Sequence, residues 1–326
     1  MLGTTLFFEK KFHDVDFDLM TPGQTLAAFM ARCLTGLDEV LAHFQPDCLV
    51  AQGDTTTVMA AALAAFYRHV PFVHVEAGYL QSPWPEEMNR RMATLATTLH
   101  SAPTRLAANN LRAEGVAAES IHVTGNTVID ALLATVERER ANTEHWQSAY
   151  SFLGNRRMVL ITGHGRESFG EGFQRICQAI RCLADQHCDV EFLYPVHLNP
   201  QVSEPVRNCL GGHKNIQLSP PVSYPEFIWL MDRSTLILTD SGGVQEEVSS
   251  LGKPVLARGD MTERPEAIEA GVAELVGTSI EKIVRSVNAL LTDPTECARR
   301  RALNNPYGDG HAAERIVDLI VGRFGR

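Results

Sequence analysis

Short apolar runs alternate with longer helical patterns from residue 47 to about residue 277. Alternation of this kind demands βαβ units and parallel sheets. Asp47 to Gln52 reads as a buried strand and Thr55 to Tyr67 as a helix. Phe72 to Val75 is the next strand, and residues 85–98 form a helix with Pro85 in its first turn. Two more short strands fall at 99–102 and 121–124. A polar break at about 141–156 closes this series with the turn Gly154-Asn155-Arg156-Arg157. Strands are then expected at 158–162, 190–195, 216–218, 235–239 and 254–257, with helices at 170–186, 200–210, 224–231 and 243–251 between them. The expectation is two α/β domains, 1–145 and 146–308, with a last helix within 309–326 crossing back to the first.

A chain of 326 residues, 44% hydrophobic, can fill two such cores. Its formal charge of −10 argues against nucleic acid or an anionic membrane surface as partner. The seven cysteines are an odd number and include no Cys-x-x-Cys, which suits a reducing cytosol. No secretory leader is recognisable and no apolar run approaches membrane-spanning length, so a cytoplasmic protein is expected. No histidine pair has metal-ligand spacing, and neither a bound metal nor a cofactor is expected.

In open parallel sheets, ligands gather beyond the carboxyl ends of the strands. Asp240-Ser241-Gly242-Gly243 lies at such an end, between the apolar run Thr235 to Leu238 and a set of helix formers. Free N–H groups and the positive end of the helix dipole converge there, which suits a phosphate or pyrophosphate. Glycine lets a ligand approach the backbone closely. Glu247, one turn further in, could accept hydrogen bonds from two ribose hydroxyls. The combination reads as a nucleotide-diphosphate pocket.

Other strand ends carry candidate chemistry. Asp54 either caps the helix that follows or acts on a ligand. Glu76 is poorly placed for capping, which points to function. Glu86 and Glu87 alone read as first-turn acids favoured by the helix dipole. Three carboxylates converging on one cleft would raise one another's pKa and suit general acid/base chemistry. His164 and Arg166 form a plausible diphosphate clamp, with Ser168 as cap or contact. His197, bracketed by turn residues, is a ligand contact or a structural hydrogen-bonder.

Taken together, these segments resemble the non-hydrolysing UDP-N-acetylglucosamine 2-epimerases. The resemblance rests on Gly53 to Thr57, His74 to Gly78, Ser82 to Glu87, Thr124 to Asp130, Thr162 to His164 with Arg166 to Gly170, Pro195 to Pro200, Leu238 to Glu247, Leu251 to Val255, Thr262 to Glu266 and Asn305 to Gly310, in the right order. It implies two Rossmann-like domains of GT-B type with the active site between them. It implies interconversion of UDP-GlcNAc and UDP-ManNAc at C2 of the sugar, with UDP expelled and added back through a 2-acetamidoglucal, for surface polysaccharide synthesis. Asp54, Glu76 and Glu86 match the family's catalytic carboxylates, with His164 beside the leaving UDP. His197, Ser241, Gly242, Gly243 and Glu247 match its UDP contacts, Arg264 matches a further phosphate-side or sugar-side position, and Arg166 of the clamp is expected to bind substrate. A UDP-sugar and a second copy of the chain, as a homodimer, are the expected partners.

Two departures from the family pattern lower the activity to be expected. The first βαβ unit, which carries a Gly-Thr-Arg-Pro-Glu loop in relatives, is not recognisable before Phe17 to Gln24, and the strand at 47–52 would then present a bare edge. Only Tyr79-Leu80-Gln81 separates Gly78 from Ser82, where relatives carry a longer loop with an arginine. Other readings are a hydrolysing epimerase that releases free ManNAc, a GT-B glycosyltransferase, and a UDP-sugar-binding protein with little activity.

Overall fold

The structure is a computed structural model that describes residues 15–80, 84–163, 171–259, 262 and 264–325. Its contacts divide the chain into two units, Met1–Asp130 with Tyr307–Arg326, and Ala131–Pro306.

Among the described residues, the first helix of the first unit is α1 (Leu26–Phe44), which the strand-and-helix alternation does not include. Thr25 caps it by accepting from the Ala28 N–H. Strands β1 (Leu49–Gln52), β2 (Phe72–Val75), β3 (Leu99–Ala102) and β4 (Ile121–Val123) follow, and they pair in parallel in that same order. Helices α2 (Thr56–Tyr67), α3 (Glu86–Ala96) and α4 (Arg105–Ala113) make the crossovers. Ala61, Ala62 and Ala65 of α2 pack against Phe72 and Ala93, where small side chains let helix and sheet approach closely.

The last residues of the chain belong to this unit. The Asn126 N–H donates to the Tyr307 carbonyl at 2.7 Å. Gly125 and Gly308 meet so closely that a Cβ on Gly125 would stand 3.4 Å from the Gly308 Cα, and both hold positive φ. The Asp130 carboxylate accepts from the N–H groups of Ala312 and Ala313 at 3.2 and 2.8 Å, capping the final helix from outside it. Arg315 reaches the Thr124 carbonyl at 3.0 Å.

The second unit starts within α5 (Thr127–Ala141) and continues through α6 (Thr143–Ala149). Its strands are β5 (Arg157–Ile161), β6 (Val190–Pro195), β7 (Ile216–Ser219), β8 (Leu236–Thr239), β9 (Val255–Ala257) and β10 (Ala273–Leu275). Helices α7 (Glu171–Gln186), α8 (Pro200–Leu210), α9 (Tyr224–Arg233) and α10 (Gly242–Ser250) alternate with them. The short α11 (Pro265–Glu269) precedes β10, and α12 (Ile280–Thr292) and α13 (Pro294–Arg301) follow it. The final helix of the chain is α14 (Ala312–Phe324). The sheet is parallel throughout, in the order β10-β9-β8-β5-β6-β7. Strand order reverses between β5 and β8, so this is a doubly wound sheet with its switch point there. Val159, Ile161, Phe192 and Leu238 on the sheet and Ile180 and Leu183 on α7 fill its core.

The division at 130/131 differs from the boundary expected at 145/146. The polar stretch 141–147 is not a linker. The Trp146 indole donates to Glu139 at 2.8 Å and its ring lies 6.3 Å from that of Trp229 on α9. Tyr150 stacks on Trp229 at 5.6 Å and donates to Glu226 at 2.7 Å. Two aromatic anchors therefore fasten this stretch to the second unit. No helix among the described residues is long and apolar enough to cross a membrane.

Candidate functional site

In the first unit, the parallel pairing of β1 and β2 sets Gln52 opposite Val75. The residues just beyond, Gly53-Asp54 and Glu76, are therefore neighbours at one sheet edge. Gly53, with φ +86°, sits so that a Cβ there would lie 3.9 Å from the Glu76 Oε2. Glu76 itself has φ +65°, the left-handed region that side chains avoid. Its carboxylate accepts from the Gln52 amide at 3.3 Å, and Gln52 in turn accepts from Thr127 at 3.4 Å.

Asp54 is not the cap of α2. That position belongs to Thr55, whose side chain makes no capping bond, so Asp54 lies one residue further out and half-buried. His74, fully buried on β2, bonds the Gly53 carbonyl at 2.7 Å. Burial pushes its pKa down to about 4, so the ring is neutral near pH 7 and donates its Nε2–H to that carbonyl. His74 thereby ties the Asp54 turn to the strand that carries Glu76.

The two acids of the Pro-Glu-Glu segment have different surroundings. Glu87 pairs with Arg90 at 2.8 Å and Arg91 at 2.6 Å, and the buried Arg90 also binds Glu114. That accounts for Glu87 structurally. Glu86, the first residue of α3, keeps a buried Oε2 with no hydrogen-bond partner among the described residues. A helix that follows β2 and precedes the parallel β3 starts at the carboxyl edge of the sheet, the edge that holds Asp54 and Glu76.

In the second unit, Ser241 caps α10 and its hydroxyl accepts from the Val244 N–H at 3.4 Å. Gly242 and Gly243 are the first helical residues. A Cβ on Gly242 would lie 3.6 Å from the Arg264 side chain. Arg264 ion-pairs with the buried Glu246. Thr262 links the Arg264 N–H, at 3.1 Å, to the Gln245 amide oxygen, at 3.0 Å. Glu247 is 7% exposed and accepts from the Tyr224 hydroxyl of α9 at 2.9 Å. Burial raises its pKa to about 7 although the Tyr224 bond opposes the rise. His197 follows β6, and its Nδ1 accepts from the Asn199 N–H at 3.1 Å. Beneath the switch point the Thr162 and Thr239 hydroxyls touch at 2.6 Å.

The structure thus groups Asp54, Glu76 and Glu86 at one strand edge, and Ser241, Gly242, Gly243, Glu247, Arg264 and His197 at the carboxyl edge of the second sheet. His164 and Arg166, with Ser168, lie outside the described residues, as do Gln81 to Pro83 and the first fourteen positions. His74, Gln52, Tyr224 and a buried Arg258 were not singled out from the sequence, because their importance comes from what they touch.

A doubly wound sheet with a Ser-Gly-Gly helix start at its switch point is the architecture of nucleotide-binding α/β proteins. The sequence matches the family model described as UDP-N-acetylglucosamine 2-epimerase over residues 1–321. It is 50% identical over 318 residues to the UDP-N-acetylglucosamine 2-epimerase of Yersinia pestis, covering 94% of this chain and 84% of the relative. The Escherichia coli K12 enzyme of the same description is 48% identical over 315 residues, covering 94% and 84%. The structure of UDP-GlcNAc 2-epimerase from Neisseria meningitidis bound to UDP-GlcNAc superimposes with TM-score 0.91 at 41% identity, covering 99% of this chain and 89% of that one. The chain belongs to the UDP-N-acetylglucosamine 2-epimerase family. Its fold class is α/β with Rossmann-like units of GT-B type.

Proposed function

We propose that the chain interconverts UDP-GlcNAc and UDP-ManNAc without net hydrolysis, for surface polysaccharide synthesis in the cytoplasm. A carboxylate base takes the C2 proton, the C1–O bond to UDP breaks, and the electron pair becomes the C1–C2 double bond of a 2-acetamidoglucal. Return of a proton to the other face of C2 and of the UDP oxygen to C1 completes the inversion. Asp54, Glu76 and Glu86 act at C2, and His164 assists the departing UDP. Arg166, His197, Ser241, Gly242, Gly243 and Arg264 hold the diphosphate side, and Glu247 holds the ribose. The observation that carries this reading is Glu76. A glutamate held at φ +65° costs about 1–2 kcal/mol, and strain of this kind gathers at functional sites.

Proton NMR of UDP-GlcNAc incubated with the chain tests the reaction. UDP-ManNAc should accumulate to a stable ratio with no free sugar. Release of free ManNAc with UDP would mean that water, not UDP, closes the intermediate. No change in the sugar signals would remove the enzymatic reading.

The Glu247 role predicts a pH dependence. With its pKa raised to about 7, the folded state keeps the proton after an unfolded carboxylate has lost it. The associated stability is therefore present in acid and lost as pH rises through about 7. Only the ionised form accepts from both ribose hydroxyls. Uridine, which carries no titrating phosphate, should bind about tenfold more weakly per pH unit below that value. Glu247→Gln should abolish the dependence. A flat profile for the unaltered chain would place the ribose elsewhere.

A further inference from the structure

Arg258 follows β9 and is 3% exposed. Its Nε donates to the Thr162 carbonyl at 3.1 Å, and its Nη2 to the Tyr194 hydroxyl and the Asp240 carboxylate, each at 3.4 Å. The guanidinium lies 5.7 Å from the Tyr194 ring centroid. Thr162, Tyr194 and Asp240 lie at the ends of β5, β6 and β8, so one side chain joins four strand ends around the switch point. Gly163 leaves the room: a Cβ there would stand 1.2 Å from the Arg258 Nη2. Nη1 is buried with no hydrogen-bond partner among the described residues. A brace for strand ends needs neither a full charge nor an unpaired donor, both of which are costly to bury. The charge therefore calls for its own account.

Asp240 supplies one. It directly precedes Ser241, so a carboxylate stands beside the helix start where a diphosphate is to bind. Uncompensated, it would repel the ligand and cancel the field of the α10 N-terminus. Arg258 meets it in a buried, low-dielectric setting where opposite charges offset strongly. We infer that Arg258 is a positioning residue of the diphosphate site, holding Asp240 in place and neutralising it so that the Ser241–Gly243 turn presents a net positive field. This rests on the UDP-binding reading above.

The test is calorimetry of UDP and of uridine on the full chain at about pH 8, with circular dichroism melts of each variant. Arg258→Met should lower UDP affinity about tenfold while leaving uridine nearly unchanged. Asp240→Asn should raise the UDP-to-uridine preference severalfold, and the double variant should recover most of what Arg258→Met loses. Equal losses for both ligands in Arg258→Met, or no recovery in the double variant, would make the residue a structural brace only. Asp240→Asn decides the matter even where Arg258→Met does not fold: an unchanged or lower preference overturns the inference. An unaltered chain that binds UDP and uridine alike overturns the diphosphate reading itself, and the inference with it.

Discussion

Glu76→Gln and Asp54→Asn are each expected to lower epimerase turnover by roughly 10²–10⁴-fold, the usual range for loss of a general acid or base. The C2 proton is weakly acidic, so elimination needs a positioned base. Both residues follow adjacent parallel strands, and neither belongs to the Ser241–Glu247 helix start. UDP affinity should therefore stay within a few-fold of the unaltered value. Each substitution is close to isosteric, and in Glu76→Gln the new amide oxygen can still accept from the Gln52 amide as the Glu76 carboxylate does. The readout is deuterium wash-in at C2 of UDP-GlcNAc in D2O. Exchange at full rate in both variants would sink the carboxylate assignment, and a matching loss of UDP affinity would recast them as binding groups.

Gly78→Ala should destabilise the first unit by about 3 kcal/mol or more. Two penalties combine there. The residue has φ +90°, and a Cβ would stand 2.3 Å from the Ala107 carbonyl oxygen of α4, a backbone atom that cannot swing aside. Asn110 also holds the Gly78 carbonyl at 3.0 Å, fixing the loop from the other side. Gly115→Ala is the internal control. It has φ +87° and nothing within 4 Å of its Cβ, so it carries only the backbone penalty, about 1 kcal/mol. Urea unfolding of the two variants separates the terms. Equal losses would show that the contact with α4 relaxes freely.

Much of this architecture was legible because a buried parallel strand is a short apolar run with turn residues at its ends. Phe72 to Val75 and Val190 to Pro195 show that pattern and occur as read. What escaped was fixed by partners far away in the chain. The stretch around Trp146 reads as polar until Trp229 and Glu139 are seen against it. β10 has three residues, too few to show a period. Spacing alone left Asp54 open between cap and ligand contact because Asp caps well, and Thr55 occupies the cap position. Arg258 reads as an ordinary charged residue after a strand, and only Gly163, Tyr194 and Asp240 around it reveal a buried cation.

The return of Tyr307–Arg326 to the first unit makes the second an insertion within it. During synthesis, Met1–Asp130 emerges before Ala131–Pro306 but lacks Tyr307 and α14 until Tyr307–Arg326 has been made. Ala131–Pro306 carries its whole sheet within one uninterrupted segment and can close first. The order of completion is thus the reverse of what the N-terminal position suggests. A premature stop after Pro306 would leave all of the second sheet intact and harm instead the unit made first.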